Sequence, residues 1–222
     1  MLEVPAEAPP GEDLVALGAD LEPGTMLAGY RAGLFPMGLG ADGSDPLGWW
    51  SPDPRGVIRP GDLHVSRSLV RAMRRFEVTI DTDLGAVLAG CADSRRPGRW
   101  ITPELLTAYR QLHDAGFVHS IEVWEDGQLA GGLFGVCVGG LFAGESMFRR
   151  RTDASKAALV ATVRHLEAAS AADVSGSLGP WMLDVQWCTE HLASMGAQAI
   201  SRHSYLSALP EVVAGGHRWP LT

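Results

Sequence analysis

Beyond residue 60 the apolar positions switch repeatedly between a period of two and a period near three and a half, the marks of strands and of amphipathic helices. Ser66 stands where it can cap a helix running through Arg75, and EVTIDT (77–82) alternates as a strand does. Leu84 to Ala92 reads as helical. Thr102 is placed as an N-cap with Pro103 at the first helical position; Leu105, Leu106, Tyr109 and Leu112 then mark one face, and Gly116 stops the run. The stretch VHSIEVWEDGQLAGGLFGVCVGGLFAGESMF predicts three strands, turned at Asp126-Gly127 and at Gly139-Gly140. Asp153 caps a helix that carries Leu159, Val160, Val163 and Leu166. WMLDVQW (181–187) follows as a strand, Thr189 caps a short helix ending at Gly196, AQAIS is a last strand, and Tyr205 to Val212 is helical.

Residues 1–60 have a different texture, with most of the prolines and one helix, Thr25 to Arg31. The stretch GLFPMGLGADGSDPLGWWSPDPRG is loop-like and holds the adjacent Trp49 and Trp50. That pair predicts either a binding surface or an apolar clamp between two units. The division expected is a small N-terminal domain, 1–60, and a larger one, 61–222. Hairpins, a long helix, a strand, a helix and a strand give an α/β (α+β) class with a central mixed sheet. The order resembles the fold of the GCN5-related N-acetyltransferases.

The 222 residues are 46% hydrophobic and 20% charged, enough for a sizeable core in a water-soluble chain. No apolar run approaches the ~18 residues of a membrane helix. The acidic, proline-rich start MLEVPAEAPPGEDL lacks the character of a secretory signal. Cys91, Cys137 and Cys188 are scattered and read as reduced core thiols of a cytoplasmic protein. The histidine spacing matches no zinc site, so no metal is expected. A formal net charge of -8 argues against a general nucleic-acid binder, but arginines cluster at Arg71, Arg74, Arg75, at Arg95, Arg96, Arg99, and at Arg149, Arg150, Arg151.

Two strands carry polar residues that packing does not require. On WMLDVQW, alternation places Met182, Asp184 and Gln186 on one face, an acid and an amide that are costly unless partnered. Either they satisfy each other and the backbone, or the carboxylate orients the amide toward a reacting group. On LFAGESMF, alternation places Glu145 with Met147 and turns Phe142, Ser146 and Phe148 away. This predicts an apolar pocket containing one acid, or else a buried ion pair. Ser146 lacks the spacing of a nucleophile elbow. After the strand, RRRTDAS has no glycine to let a CoA pyrophosphate approach the backbone.

Several segments then point the same way: AGYRAGLFPM, WWSPDPRGVI, the run from Trp100 to His113, HSIEVWEDGQLAGGLFG, GLFAGESMF, ASKAAL, LDVQ and HLASMGA. Together, over residues 13 to 209, they resemble the leucyl/phenylalanyl-tRNA–protein transferases. The resemblance implies transfer of leucine or phenylalanine from charged tRNA to the N-terminal Arg or Lys of a protein, marking it for N-end-rule degradation. It implies no cofactor, no metal and no membrane. The motifs make Asp184, Gln186 and Glu145 the catalytic group, with Gln186 accepting from the incoming amine, Asp184 polarising it, and Glu145 orienting substrate amines. Asp184 and the tRNA ribose both stand as acceptors of the released proton. Met147, Phe142 and Leu133 are implied as the donor's apolar pocket. Trp100, Trp49, Met37 and Tyr30 are implied around the terminal adenosine, and Arg149, Arg150, Arg151 and Arg75 against tRNA. A CoA-dependent acetyltransferase and a non-catalytic binder of basic N-termini are the competing readings.

Overall fold

A computed structural model of the chain describes residues 11–96, 98–173, 176, 178–216 and 219, so most of the proline-rich start lies outside the described residues. The elements run β1 (Leu14–Leu17), α1 (Pro23–Arg31), β2 (Phe35–Gly38), β3 (Leu47–Trp50), β4 (Arg55–Ile58), α2 (Arg67–Met73), β5 (Glu77–Ile80), α3 (Leu84–Cys91) and α4 (Pro103–Asp114). They continue as β6 (Val118–Glu125), β7 (Gln128–Val138), β8 (Leu141–Arg149), α5 (Ala154–Ala172), β9 (Met182–Gln186), α6 (Glu190–Ala193), β10 (Gln198–Ile200) and α7 (Arg202–Ala214). Seven strands form one sheet in the order β10-β4-β9-β8-β7-β6-β5, and β1-β3-β2 form a second, smaller one.

The hairpin signals act as read. Asp126 and Gly127 both take positive φ, 51° and 72°, the conformation that twists a two-residue turn to match its strands. Three predicted caps also form: Ser66 Oγ accepts from Leu69 N–H, Thr102 Oγ1 from Leu105 N–H and Thr189 Oγ1 from Leu192 N–H. Asp153 differs. It precedes α5 in the left-handed region, φ 69°, and its side chain makes no cap hydrogen bond; it pairs instead with Lys156 at 3.4 Å.

Helix α5 covers one face of the large sheet, its Leu159, Val160, Val163 and Leu166 buried against Leu133, Phe142 and Leu183. The other face meets α3 and α4 through Val87, Leu88, Leu105 and Tyr109, and that same core takes in Met26, Tyr30, Leu34 and Trp49 of the N-terminal segment. Helix α7 packs Tyr205, Leu209 and Val212 on Val57, Leu141 and Met182. β4, which falls before residue 60, is a strand of the large sheet and lies between β10 and β9. No helix among the described residues is long and apolar enough to cross a membrane.

Candidate active site at the parting of two strands

β8 and β9 run parallel and pair at Leu141↔Met182, Phe142↔Leu183 and Ala143↔Asp184. The pairing stops there, while β8 continues to Arg149. From that level on, β8 presents an edge without a β9 partner, and its backbone groups are open to other partners. β8 also bulges at this point: Phe134 faces Ser146 and Gly135 faces Gly144, so Glu145 is an extra residue. β9 ends on Gln186, whose φ of 58° breaks its alternation. Glu145, Asp184 and Gln186, singled out by their polarity, thus meet where the sheet opens.

The bulge corrects the expected facing. One extra residue moves every following side chain to the opposite face. Glu145 points to the α4 side, where the Tyr109 hydroxyl donates to its Oε2 at 2.7 Å. Met147 pairs across the strands with Leu133, which packs on the α5 side. Phe142 shares that side but stands five residues back along β8, about 16 Å at the usual strand rise. It is fully buried and stacks at 4.9 Å on Trp219. Of the expected pocket, Met147 and Leu133 adjoin, Glu145 lies on the other face, and Phe142 is core.

Asp184 is 1% exposed and saturated. Its Oδ1 accepts from Arg55 Nε at 2.8 Å and from the Gln186 backbone N–H at 2.9 Å. Its Oδ2 accepts from Arg55 Nη2 at 2.5 Å and from the Tyr205 hydroxyl at 2.9 Å. The expectation that Asp184 polarises the Gln186 side chain is therefore corrected: it holds the Gln186 backbone in its unusual conformation. The Arg55 guanidinium also donates to Gly33 O at 3.2 Å and lies over the rings of Phe35 and Tyr205. Sequence reasoning missed Arg55 and Tyr205. The signal for Arg55 was present in WWSPDPRG, a cation entering an apolar strand directly after proline.

Glu145 is the opposite case. Its Oε1 is buried and makes no hydrogen bond of ordinary geometry, nor do Tyr30 Oη and Gln186 Nε2, although the Tyr30 hydroxyl lies close enough to the Glu145 carboxyl to favour its charged form. Burial raises the Glu145 carboxyl to about 7; the Tyr109 and Tyr30 hydroxyls and the Arg55 cation work against that rise, and the charge of Asp184 adds to it. The site therefore offers one incompletely bonded acceptor that can change charge near neutral pH, one amide donor without a partner, and near them a fixed ion pair.

The remaining candidates separate by exposure. Trp49 is 0% exposed, donates to Gly18 O at 2.9 Å and presses on Gly29, where an added Cβ would meet its ring at 2.5 Å. It is the apolar clamp, and stacking of Trp49 on a ligand is corrected on that ground. Met37 and Trp100 are half-buried. Their chain neighbours Gly38 and Ile101 line a cavity of about 590 Å³ between the small sheet and the start of α4. Arg75 and Arg151 both pair with Glu125, at 3.0 and 3.4 Å. Arg149 and Arg150 are exposed and line a second cleft, of about 970 Å³.

A mixed sheet opened at a parallel pair, with an acid and an amide at the opening and no serine elbow, is the build of an acyltransferase that works on an amine. Two family models cover most of the chain: that described as leucyl/phenylalanyl-tRNA protein transferase matches residues 57–210, and that of its N-terminal domain matches 19–53. The chain belongs to the leucyl/phenylalanyl-tRNA protein transferase family. A leucyl/phenylalanyl-tRNA--protein transferase of Chromobacterium violaceum is 47% identical over 204 residues, 90% of this chain and 82% of that one. Its counterpart in Aromatoleum aromaticum is 45% identical, over 94% and 84% of the two chains. Among solved structures, a GCN5-related N-acetyltransferase from Kribbella flavida aligns at a TM-score of 0.40 with 11% identity, over 81% of this chain and 61% of that one.

Proposed function

We propose that this protein makes a peptide bond, moving leucine or phenylalanine from the 3′ ester of a charged tRNA to the N-terminal Arg or Lys of an acceptor protein. In the cytoplasm that product is a degradation mark. The observation that carries the reading is the buried, incompletely bonded oxygen of Glu145 at the same strand opening as the unpartnered amide of Gln186. The ester is already activated, so the reaction needs positioning and one proton acceptor rather than a covalent nucleophile. An α-amine titrates near ~7.7–8.0 and arrives largely as ammonium at neutral pH. Glu145, raised to about 7, is matched to take that proton and leave the amine free to attack. The neutral amine adds to the ester carbonyl, the C–O bond to the ribose breaks, and the ribose oxygen leaves with the amine's second proton. Gln186 Nε2 supplies a donor for the carbonyl oxygen as it gains charge.

Asp184 has every lone pair occupied, so its part is to fix Arg55, Tyr205 and the Gln186 backbone. Met147 and Leu133 fit the donor's side chain from the α5 face, and the gap between β8 and β9 lets its carbonyl reach the amine on the other side. Met adapts to both Leu and Phe. Met37 and Trp100 are kept for the adenosine end and the arginines after β8 for tRNA, whereas Tyr30, buried in the same core as Trp49, belongs with Tyr109 beside Glu145.

The test is transfer of labelled leucine from Leu-tRNA to a peptide beginning with Arg, beside the same peptide beginning with Ala. Label on the Arg peptide alone is expected. Equal labelling of both would remove the acceptor assignment, and no labelling of either would remove the reaction.

A further inference from the structure

Two arginines are fully buried, and only one has a counter-charge. Arg55 pairs with Asp184. Arg202, the first residue of α7, is 0% exposed and donates from its guanidinium once, from Nη2 to Glu12 O at 2.7 Å. Its Nε and Nη1 are buried and make no hydrogen bond, and no carboxylate among the described residues comes within ion-pair distance of it. Arginine keeps its charge at any working pH, and a buried charge opposed only by a carbonyl dipole is among the costliest arrangements in a fold. Position adds to the cost. The peptide dipoles of this thirteen-residue helix leave positive charge at its N-terminus, the end that disfavours a cation. The nearby acids are engaged elsewhere. Asp53 accepts from the Arg202 backbone N–H at 3.1 Å, and Asp13 from Asp53 N–H at 3.1 Å and Trp187 Nε1 at 2.9 Å. Ser51 is a second orphan in this region. It is 0% exposed, its Oγ makes no hydrogen bond, and its backbone N–H donates to Asp13 O at 2.7 Å, one residue from the carbonyl that Arg202 holds.

We infer that Arg202 and Ser51 hold a small monovalent anion, of the class of chloride or bromide, at the start of α7. The guanidinium supplies two N–H donors and an unmatched unit charge, and the Ser51 hydroxyl supplies a third donor. Complete burial suits a bare ion and leaves no opening for a phosphate group or for the side chain of another protein. Water would satisfy the N–H groups and leave the charge uncompensated, whereas an anion does both. The site is tied to the clamp around Asp184. Tyr205, one turn along α7 from Arg202, donates to Asp184 Oδ2 at 2.9 Å. Asp53, which accepts from Arg202, stands two residues before Arg55. An anion at Arg202 therefore braces the helix start and the strand entry that carry both side-chain partners of Asp184. Neither donor nor acceptor of the reaction takes part in this site, which is independent of the transferase reading.

The test follows urea unfolding at constant ionic strength while bromide replaces gluconate, an anion too bulky for the site. A ligand bound only by the folded state multiplies the folding constant by one plus its concentration over its dissociation constant. Above that dissociation constant, wild-type protein should gain about tenfold in the folding constant for each tenfold rise in bromide. R202Q should lose that gain, and S51A should need more bromide to reach it. Wild-type crystals grown in bromide should show an anomalous-scattering peak in contact with Arg202 Nη1, so the wild type decides even if R202Q does not fold. A flat wild-type curve overturns the site, even beside a bromide peak, which would then be an adventitious ion only. An equal gain in R202Q overturns it too, as a bulk effect of the salt. So does a water without anomalous signal, or a carboxylate of the chain itself, found against Arg202.

Discussion

At the scale of single residues, two carboxylates near one opening are set apart by their partners. Asp184 is held by two bonds from Arg55 and one from Tyr205. Asp184→Asn leaves a buried guanidinium without its counter-charge, a loss on the order of 3–5 kcal/mol in urea unfolding. Tyr205→Phe removes one charge-assisted bond, about 1.5–3 kcal/mol. A D184N protein as stable as wild type would contradict the clamp. Glu145 titrates in the folded protein at about 7, against an ordinary value of 4.5. Between those values the folded state binds more protons than the unfolded chain, so stability is full below the lower value and is lost as pH rises through the upper one. The loss is on the order of 3 kcal/mol, and Glu145→Gln should abolish it, so that the wild-type urea midpoint falls between pH 4.5 and 7 while that of the variant stays closer to level. Transfer activity should run the other way, rising through pH 7 in wild type as the carboxylate becomes able to accept a proton. The acid and amide were legible because polar side chains in apolar strands stand out. Their facing was not, because alternation gives no warning of a bulge. Arg55 and Tyr205 lie 129 and 21 residues from Asp184, and only the folded chain brings them to it.

At the scale of elements, signals that are local and made by one residue type were legible. Thr102, Ser66 and Thr189 act as caps because a hydroxyl at that position satisfies an N–H that the helix leaves unpaired. Asp153 has the right chemistry in the wrong backbone, since at φ 69° its carboxylate cannot reach back over the first turn. The two sites therefore predict opposite outcomes. Thr102→Ala should cost about 1 kcal/mol. Asp153→Gly relieves a left-handed residue worth roughly 1–2 kcal/mol, gives up only a partly exposed pair with Lys156, and should leave the midpoint equal or higher. Parallel urea titrations decide it; a D153G protein less stable than T102A would mean that the Asp153 carboxylate does more than its geometry allows. β2 and β3 escaped notice for a related reason. FPMG and LGWW are short and broken by Pro and Gly, and Pro36 is tolerated because β2 is the outer strand of its sheet. β4 was hidden by the prolines of SPDPRG, which read as loop although the strand begins immediately after them.

For the whole molecule, the question is whether the N-terminal segment is an accessory or part of the machine. Change of composition near residue 60 suggested two units. In the fold, Trp49, Met26 and Tyr30 share one core with Leu105, Tyr109 and Phe134. The far ends are tied as well: Arg202 N–H donates to Asp53, Arg202 Nη2 to Glu12 O, and Trp187 Nε1 to Asp13. The site itself draws Tyr30 and Arg55 from the first 60 residues and Tyr109, Glu145, Asp184 and Tyr205 from the rest. A cut at residue 60 would take β4 out from between β10 and β9 and strand Asp184 as a buried carboxylate without its cation. Trp49→Ala should accordingly cost about 3–5 kcal/mol while leaving a single unfolding transition, followed together by tryptophan fluorescence and far-ultraviolet circular dichroism. Residues 61–222 alone should show no cooperative transition at all. If that fragment melted cooperatively, or if W49A split the two signals, the N-terminal segment would be a separable domain, and a catalytic centre assembled across both parts would have to be given up.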